Sequence, residues 1–275
     1  MDNRFTNIKK VIAGGCSFTA GSELADESWD RIHKGICYEI SYTAWPNLLQ
    51  EKMFPNATVD NTAVPGADYG SIVRRIIYQT RRHLKIHKPE DIVVVVMWTS
   101  ILRREYPSIY PVGRKIKTHE DRFLTSLPSD GDGKTRGYSN EMLYRRRQMW
   151  ASEHLTRTNV EFYARRDTHD NHVYYPLQQL EYLTNWLENH NIKYFFTSAF
   201  KDIEPELLNQ DNVFLQDMIA RLDLPNNVHK EDGLGFWDWS WKNNYKRGKE
   251  SDHPLEQAHI DWTNLFSKWI LTKSK

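Results

Sequence analysis

The chain has 275 residues, of which 39% are hydrophobic and 13% aromatic, so it can bury the core of one or two domains. Lys and Arg number 37 against 36 Asp and Glu, a formal net charge of +1. That balance excludes a strongly basic nucleic-acid binder, an acidic tail protein and a charge-driven disordered chain. No apolar run approaches the ~20 residues of a bilayer span. Met1 to Lys10 lacks the apolar segment of a signal peptide. Two cysteines, Cys16 and Cys37, do not make a disulfide framework. A cytoplasmic protein with reduced thiols is the expectation.

Ile8 to Ala13 reads as a first strand, closed by Gly14-Gly15 and followed by a loop to about Tyr42. Thr43 to Met53 is helical, with Leu48, Leu49 and Met53 on one face and Pro46 in the first turn, where proline is tolerated. Ala57 to Asn61 is a short strand, and Val64-Pro65-Gly66 a turn. Ile72, Ile76, Ile77 and Leu84 recur at helical spacing from Asp68 to about His87. The run Ile92 to Trp98 is β-branched and unbroken, the pattern of a strand covered on both faces.

From about Arg103 to Asp170 the pattern weakens, and residues 103–170 read as an insertion or cap within a single domain spanning 1–275. Tyr174 to His190 is amphipathic, Ile192 to Thr197 is a buried strand, and Leu207 to Leu222 holds helical stretches. Gly233 to Gly248 reads as a Trp-rich loop or irregular segment, and Pro254 to Leu271 as a closing helix. This order predicts a three-layer α/β/α sandwich with a mainly parallel sheet.

Ser17 stands in Gly14-Gly15-Cys16-Ser17-Phe18-Thr19-Ala20-Gly21, straight after the first strand, where open parallel sheets bind ligands. No Gly-Lys-Ser/Thr follows, which argues against a phosphate loop. Near the other end, Glu250-Ser251-Asp252-His253-Pro254 places an imidazole beside carboxylates just before a helix. A serine after the first strand and a histidine before the last helix can meet at one end of a sheet, as nucleophile and general base. Arg103 follows the third strand at that same end and is suited to an anionic or carbonyl part of a substrate. His169 and His172 flank Asp170, but no further ligand has metal-site spacing; neither a metal nor a cofactor is expected. Arg145 to Arg147 reads as a solvated helix face, and a nucleic-acid partner is not expected.

Together these features resemble the SGNH (GDSL-type) hydrolase superfamily. Gly15-Cys16-Ser17-Phe18-Thr19 is similar to the first block of its phage and bacterial branches, and Asn61-Thr62-Ala63-Val64-Pro65-Gly66 to its second. Met97-Trp98-Thr99-Ser100 stands where the third block has an asparagine, and His253-Pro254 matches the last block. There the family places aspartate three residues before the histidine; here Glu250 has the spacing and Asp252 the residue type. The resemblance implies Ser17 as nucleophile, His253 as base, and Asp252 or Glu250 as orienting acid, with Asp252 preferred. It implies oxyanion donors from the backbone N–H groups of Ser17 and Gly66, with Thr99 or Ser100 as a third. The activity it implies is ester hydrolysis, O-deacylation of a carbohydrate or small-molecule ester. The alternative is a catalytically weak or inactive SGNH-like binding or structural module, phage-encoded.

Overall fold

The computed structural model describes residues 5–26, 41–101, 173–201, 212–249 and 252–273, and the backbone alone of 105–107, 123–125 and 169–172. Most of residues 103–170, the segment expected from the sequence to be an insertion or cap, therefore lies outside the described residues.

Strand β1 is Lys10–Gly14, β2 Thr58–Asn61, β3 Ile92–Trp98, β4 Glu105–Pro107, β5 Phe123–Thr125, β6 Lys193–Ser198 and β7 Val228–His229. Helix α1 is Ser17–Ala20, α2 Trp45–Met53, α3 Tyr69–His83, α4 His169–Asn189, α5 Val213–Leu222, α6 Leu224–Asn227, α7 Phe236–Lys242 and α8 Glu256–Lys273. Five strands form one parallel sheet in the order β2-β1-β3-β6-β7. β4 and β5 pair antiparallel in a separate two-stranded sheet.

Side chains in a strand alternate between faces, and both faces here are covered. Ile12, Val94, Val96, Trp98 and Phe196 pack beneath α3, α4 and α5. Val11, Ala13, Val93, Val95, Met97 and Phe195 pack beneath α2, α7 and α8. This is why Ile92 to Trp98 is apolar without interruption: every residue of β3 is buried. The expected three-layer α/β/α architecture is the one observed.

Two segments differ from the sequence expectation. Phe236–Lys242 is a helix rather than an irregular segment, because Phe236, Trp239 and Ser240 fall on one buried helical face. The two-residue β7 is too short to leave a periodic signal, yet it extends the sheet beyond β6.

The strand order fixes where a ligand can sit. From β1 the chain winds one way to β2 and then back across the sheet to β3. The connections from β1 and β3 therefore leave on opposite sides and open a crevice between their carboxyl ends. Gly14 pairs with Val96 across that gap, so the segments after Gly14 and Trp98 emerge side by side.

Candidate active site

Ser17 is the first residue of α1, immediately beyond the β1 carboxyl end, and is buried. Cys16 caps that helix as a buried free thiol in extended backbone. The second-block loop is laced to this turn. Thr62 N–H donates to the Ala13 carbonyl (2.8 Å) and Val64 N–H to the Gly15 carbonyl (3.3 Å). The Asn61 amide donates to the Thr19 carbonyl (2.7 Å) while accepting from Ala63 N–H (3.1 Å). These bonds carry the chain to Gly66, buried and at φ +80°, a left-handed position that favours glycine. Among the described residues, neither the Gly66 nor the Ser17 N–H has an acceptor. Thr99 is buried just past β3, with Ser100 half-buried after it.

After α1 the chain reverses tightly. Gly21 and Ser22 N–H both donate to the Ser17 carbonyl (2.9 and 3.0 Å), and Gly21 is left-handed at φ +80°. Glu23 is also left-handed, at φ +68°. A non-glycine residue there costs about 1–2 kcal/mol. The segment is then tied down twice. Ala25 N–H donates to Glu256 Oε1 (2.9 Å). The Asp26 carboxylate accepts from Tyr42 N–H, Thr43 N–H and the Ser41 and Thr43 hydroxyls. Burial raises the Asp26 pKa, but these hydrogen bonds outweigh it and hold the group below the usual carboxylate range.

The histidine arrives from the far end of the sequence. His253 Nδ1 lies 2.8 Å from Glu23 Oε2, and its backbone N–H donates to the same oxygen at 3.2 Å. The two side chains are 9% and 8% exposed. A carboxylate only accepts, so Nδ1 carries the proton of this bond, and Nε2 is the ring nitrogen left to accept another. The His253 ring packs against Phe18, the neighbour of Ser17 in sequence, with centroids 5.0 Å apart. No hydrogen bond joins the Ser17 hydroxyl to the imidazole here.

The histidine's backbone is clamped as well. Gly248 N–H donates to the His253 carbonyl (2.8 Å) and Leu255 N–H to the Lys246 carbonyl (3.1 Å), a one-bridge hairpin between Arg247 and Pro254. The Arg247 guanidinium donates to the Asp252 carbonyl (2.8 Å) and the Ser240 hydroxyl (2.9 Å) while lying 3.9 Å over the Trp241 ring. Burial pushes its pKa down to about 10, against the pull of Asp252 and Asp238. Beneath the loop, buried His259 accepts from Trp45 N–H at Nδ1 (3.2 Å) and is hydrogen-bonded to the Pro254 backbone. Burial, with His253 nearby, pushes its pKa down to about 3, so it is a neutral pin between the start of α2 and the His253-Pro254 turn.

The structure thus brings His253 beside the Ser17 turn and laces the Gly66 loop to that same turn. It does not bring Asp252 to the imidazole. Asp252 is exposed, sits at φ +56°, and contributes its carbonyl to Arg247. Glu23 occupies Nδ1 in its place. Glu250 and Arg103 lie outside the described residues. Glu23 went unnoticed in the sequence because it belongs to no motif and meets His253 across 230 positions. Its signal, an acid just after a Gly-closed turn, is too common to stand out. Among the described residues no group of three or more His, Cys, Asp or Glu could hold a metal ion, and no helix is long and apolar enough to cross a membrane.

No protein-family model and no curated protein matches the chain. Among solved structures it is similar to the psychrotrophic esterase EstA from Pseudoalteromonas sp., at 11% identity over 96% of this chain and 99% of that one, with a TM-score of 0.45. A lipolytic protein of the G-D-S-L family from Desulfitobacterium hafniense matches at 10% identity over 95% and 99%, with a TM-score of 0.43. A carbohydrate acetylesterase family member from Sinorhizobium meliloti matches at 13% identity over 97% and 99%, with a TM-score of 0.42.

Proposed function

We propose that this protein is a serine esterase, an O-deacylase acting on a small or carbohydrate ester. One observation carries the reading. A buried imidazole packs on the residue next to Ser17 at the open end of the sheet, with Nδ1 already hydrogen-bonded to a carboxylate and Nε2 left to accept a proton.

In this reading, Ser17 Oγ turns toward His253 Nε2, a closure expected on substrate binding. As Oγ attacks the acyl carbon, its proton passes to Nε2, a C–O bond forms and the carbonyl π pair moves to oxygen. The Ser17 and Gly66 N–H groups meet that oxyanion, and Thr99 or Ser100 supplies a third donor. Collapse breaks the bond to the leaving alkoxide, which takes the proton from Nε2. Water then repeats the sequence on the acyl-serine, releasing the acid and restoring Ser17.

The apolar surroundings support that choice of substrate. Ring contacts run from His253 to Phe18, on to Phe200 (5.5 Å) and Trp237 (5.8 Å), and end at Trp241 (5.7 Å). Trp241 is 47% exposed. An aromatic ledge of this kind suits the C–H face of a sugar or another compact acyl carrier. Hydrolysis of p-nitrophenyl acetate and of acetylated sugars, with Ser17→Ala as control, tests the reading. Turnover lost in Ser17→Ala supports it. Folded wild-type protein without turnover favours a binding module instead.

A further inference from the structure

We infer that the acid orienting His253 is Glu23, carried on the nucleophile's own loop six residues after Ser17, and not an acid beside the histidine. The inference rests on the esterase reading above.

Three features support it. Both donors of His253, Nδ1–H and the backbone N–H, converge on Glu23 Oε2 at 2.8 and 3.2 Å, which fixes ring and main chain together. The Glu23 backbone is held at φ +68°, where glycine or asparagine is the ordinary occupant. Strain of this kind persists where the surroundings over-determine it, and the carboxylate held here lies against His253 and Gly248. Finally, Gly248 makes room for the acid. A Cβ at that position would stand 2.3 Å from Glu23 Cδ and 2.4 and 2.5 Å from its two carboxylate oxygens. The same glycine's N–H holds the His253 carbonyl at 2.8 Å. The hairpin therefore clamps the histidine and leaves the carboxylate's volume empty of side chain.

Nucleophile and acid thus share one short segment, anchored through Ala25 to Glu256 and through Asp26 to residues 41–43. Only the histidine is delivered from elsewhere. Glu23 touches no reacting atom; it is a positioning residue that fixes the tautomer and aim of His253.

The test is steady-state hydrolysis of p-nitrophenyl acetate by the full chain. Glu23→Gln is expected to lower kcat by about 10³–10⁴-fold, with KM within a few-fold of wild type. Glu23→Asp should recover part of that loss, which a merely structural role would not predict. Glu23→Gly suits the left-handed backbone and guards against misfolding; it is expected to melt as a folded protein and to be as slow as Glu23→Gln. Asp252→Asn should stay within about threefold of wild type, since that carboxylate faces no catalytic group. In ¹⁵N spectra, the Nδ1–H tautomer of His253 should dominate in wild type and lose that dominance in Glu23→Gln. Wild-type rates in both Glu23→Gln and Glu23→Gly, with loss in Glu250→Gln or Asp252→Asn, would overturn the inference and leave the esterase reading standing. Wild-type protein without turnover overturns both.

Discussion

Replacing Gly248 by alanine perturbs the histidine–acid pair while leaving both partners' side chains in the sequence. The added methyl would stand 2.3–2.5 Å from the Glu23 carboxylate. Ordinary carbon–oxygen contact needs about 3.4 Å, so one group must retreat by roughly 1 Å. Gly248 is fixed by its bond to the His253 carbonyl, so the carboxylate at the end of a flexible side chain yields first. Its 2.8 Å bond to Nδ1 then lengthens to about 3.8 Å, beyond hydrogen-bond reach. A hydrogen bond to a charged group contributes about 1.5–3 kcal/mol. At about 1.4 kcal/mol per decade, Gly248→Ala should lower kcat by roughly 10–100-fold, less than removal of the carboxylate. The assay is ester hydrolysis beside a thermal melt, with Gly248→Ala in the Glu23→Gln background as the second arm. There the methyl should cost little more, because the bond it breaks is already gone. Wild-type kcat in Gly248→Ala, or a full additional loss in the double variant, would mean that the methyl does not act through the Glu23–His253 bond.

Other outcomes follow from the buried histidines. His259→Leu strands the Trp45 N–H and the Pro254 backbone group, at about 1–3 kcal/mol each, and a urea titration should show a lower midpoint at unchanged slope. The folded-state pKa values of His259 and His229 are pushed by burial to about 3 and about 4, below the unfolded 6.5. Unfolding takes up protons in that interval, so their contribution is complete above pH 6.5 and is lost as pH falls. The slope is roughly 1.4 kcal/mol per pH unit for each histidine, until each folded-state value is passed. Urea midpoints should therefore drop between pH 6.5 and 4, before Asp60 titrates near 2; a flat profile contradicts this. Among the described residues, buried His229 Nε2 has no partner, and its ring lies against Trp262, Phe266 and Trp269. His229→Phe should accordingly be neutral or stabilising at pH 7, and its acid loss shallower than that of wild type.

The sheet was legible because its signal is local. Ile92 to Trp98 announces a doubly buried strand, and the glycine-closed β1 turn announces where a ligand can sit. The Ser17 turn and the His253-Pro254 turn stood out for the same reason, as short motifs at element ends. The acid was not. Glu23 and Gly248 are neighbours only after β1 and the last loop have been brought to one edge, and no periodicity relates them. The tryptophans at 237, 239 and 241 misled because their alternation suggests an irregular loop, whereas burial follows Phe236, Trp239 and Ser240 on one helical face. Nothing local to His259 names the group it holds: its bond to the Trp45 N–H spans 214 residues.

Covalent capture tests whether Ser17 is a nucleophile activated by His253. Intact protein is incubated with a fluorophosphonate ester, digested and mapped by mass spectrometry. One phosphonyl adduct per chain is expected, on Ser17, formed fast in wild type, slowly in Glu23→Gln and not at all in His253→Ala. No adduct on folded wild-type protein, or an adduct on another residue with Ser17 unmodified, would contradict it.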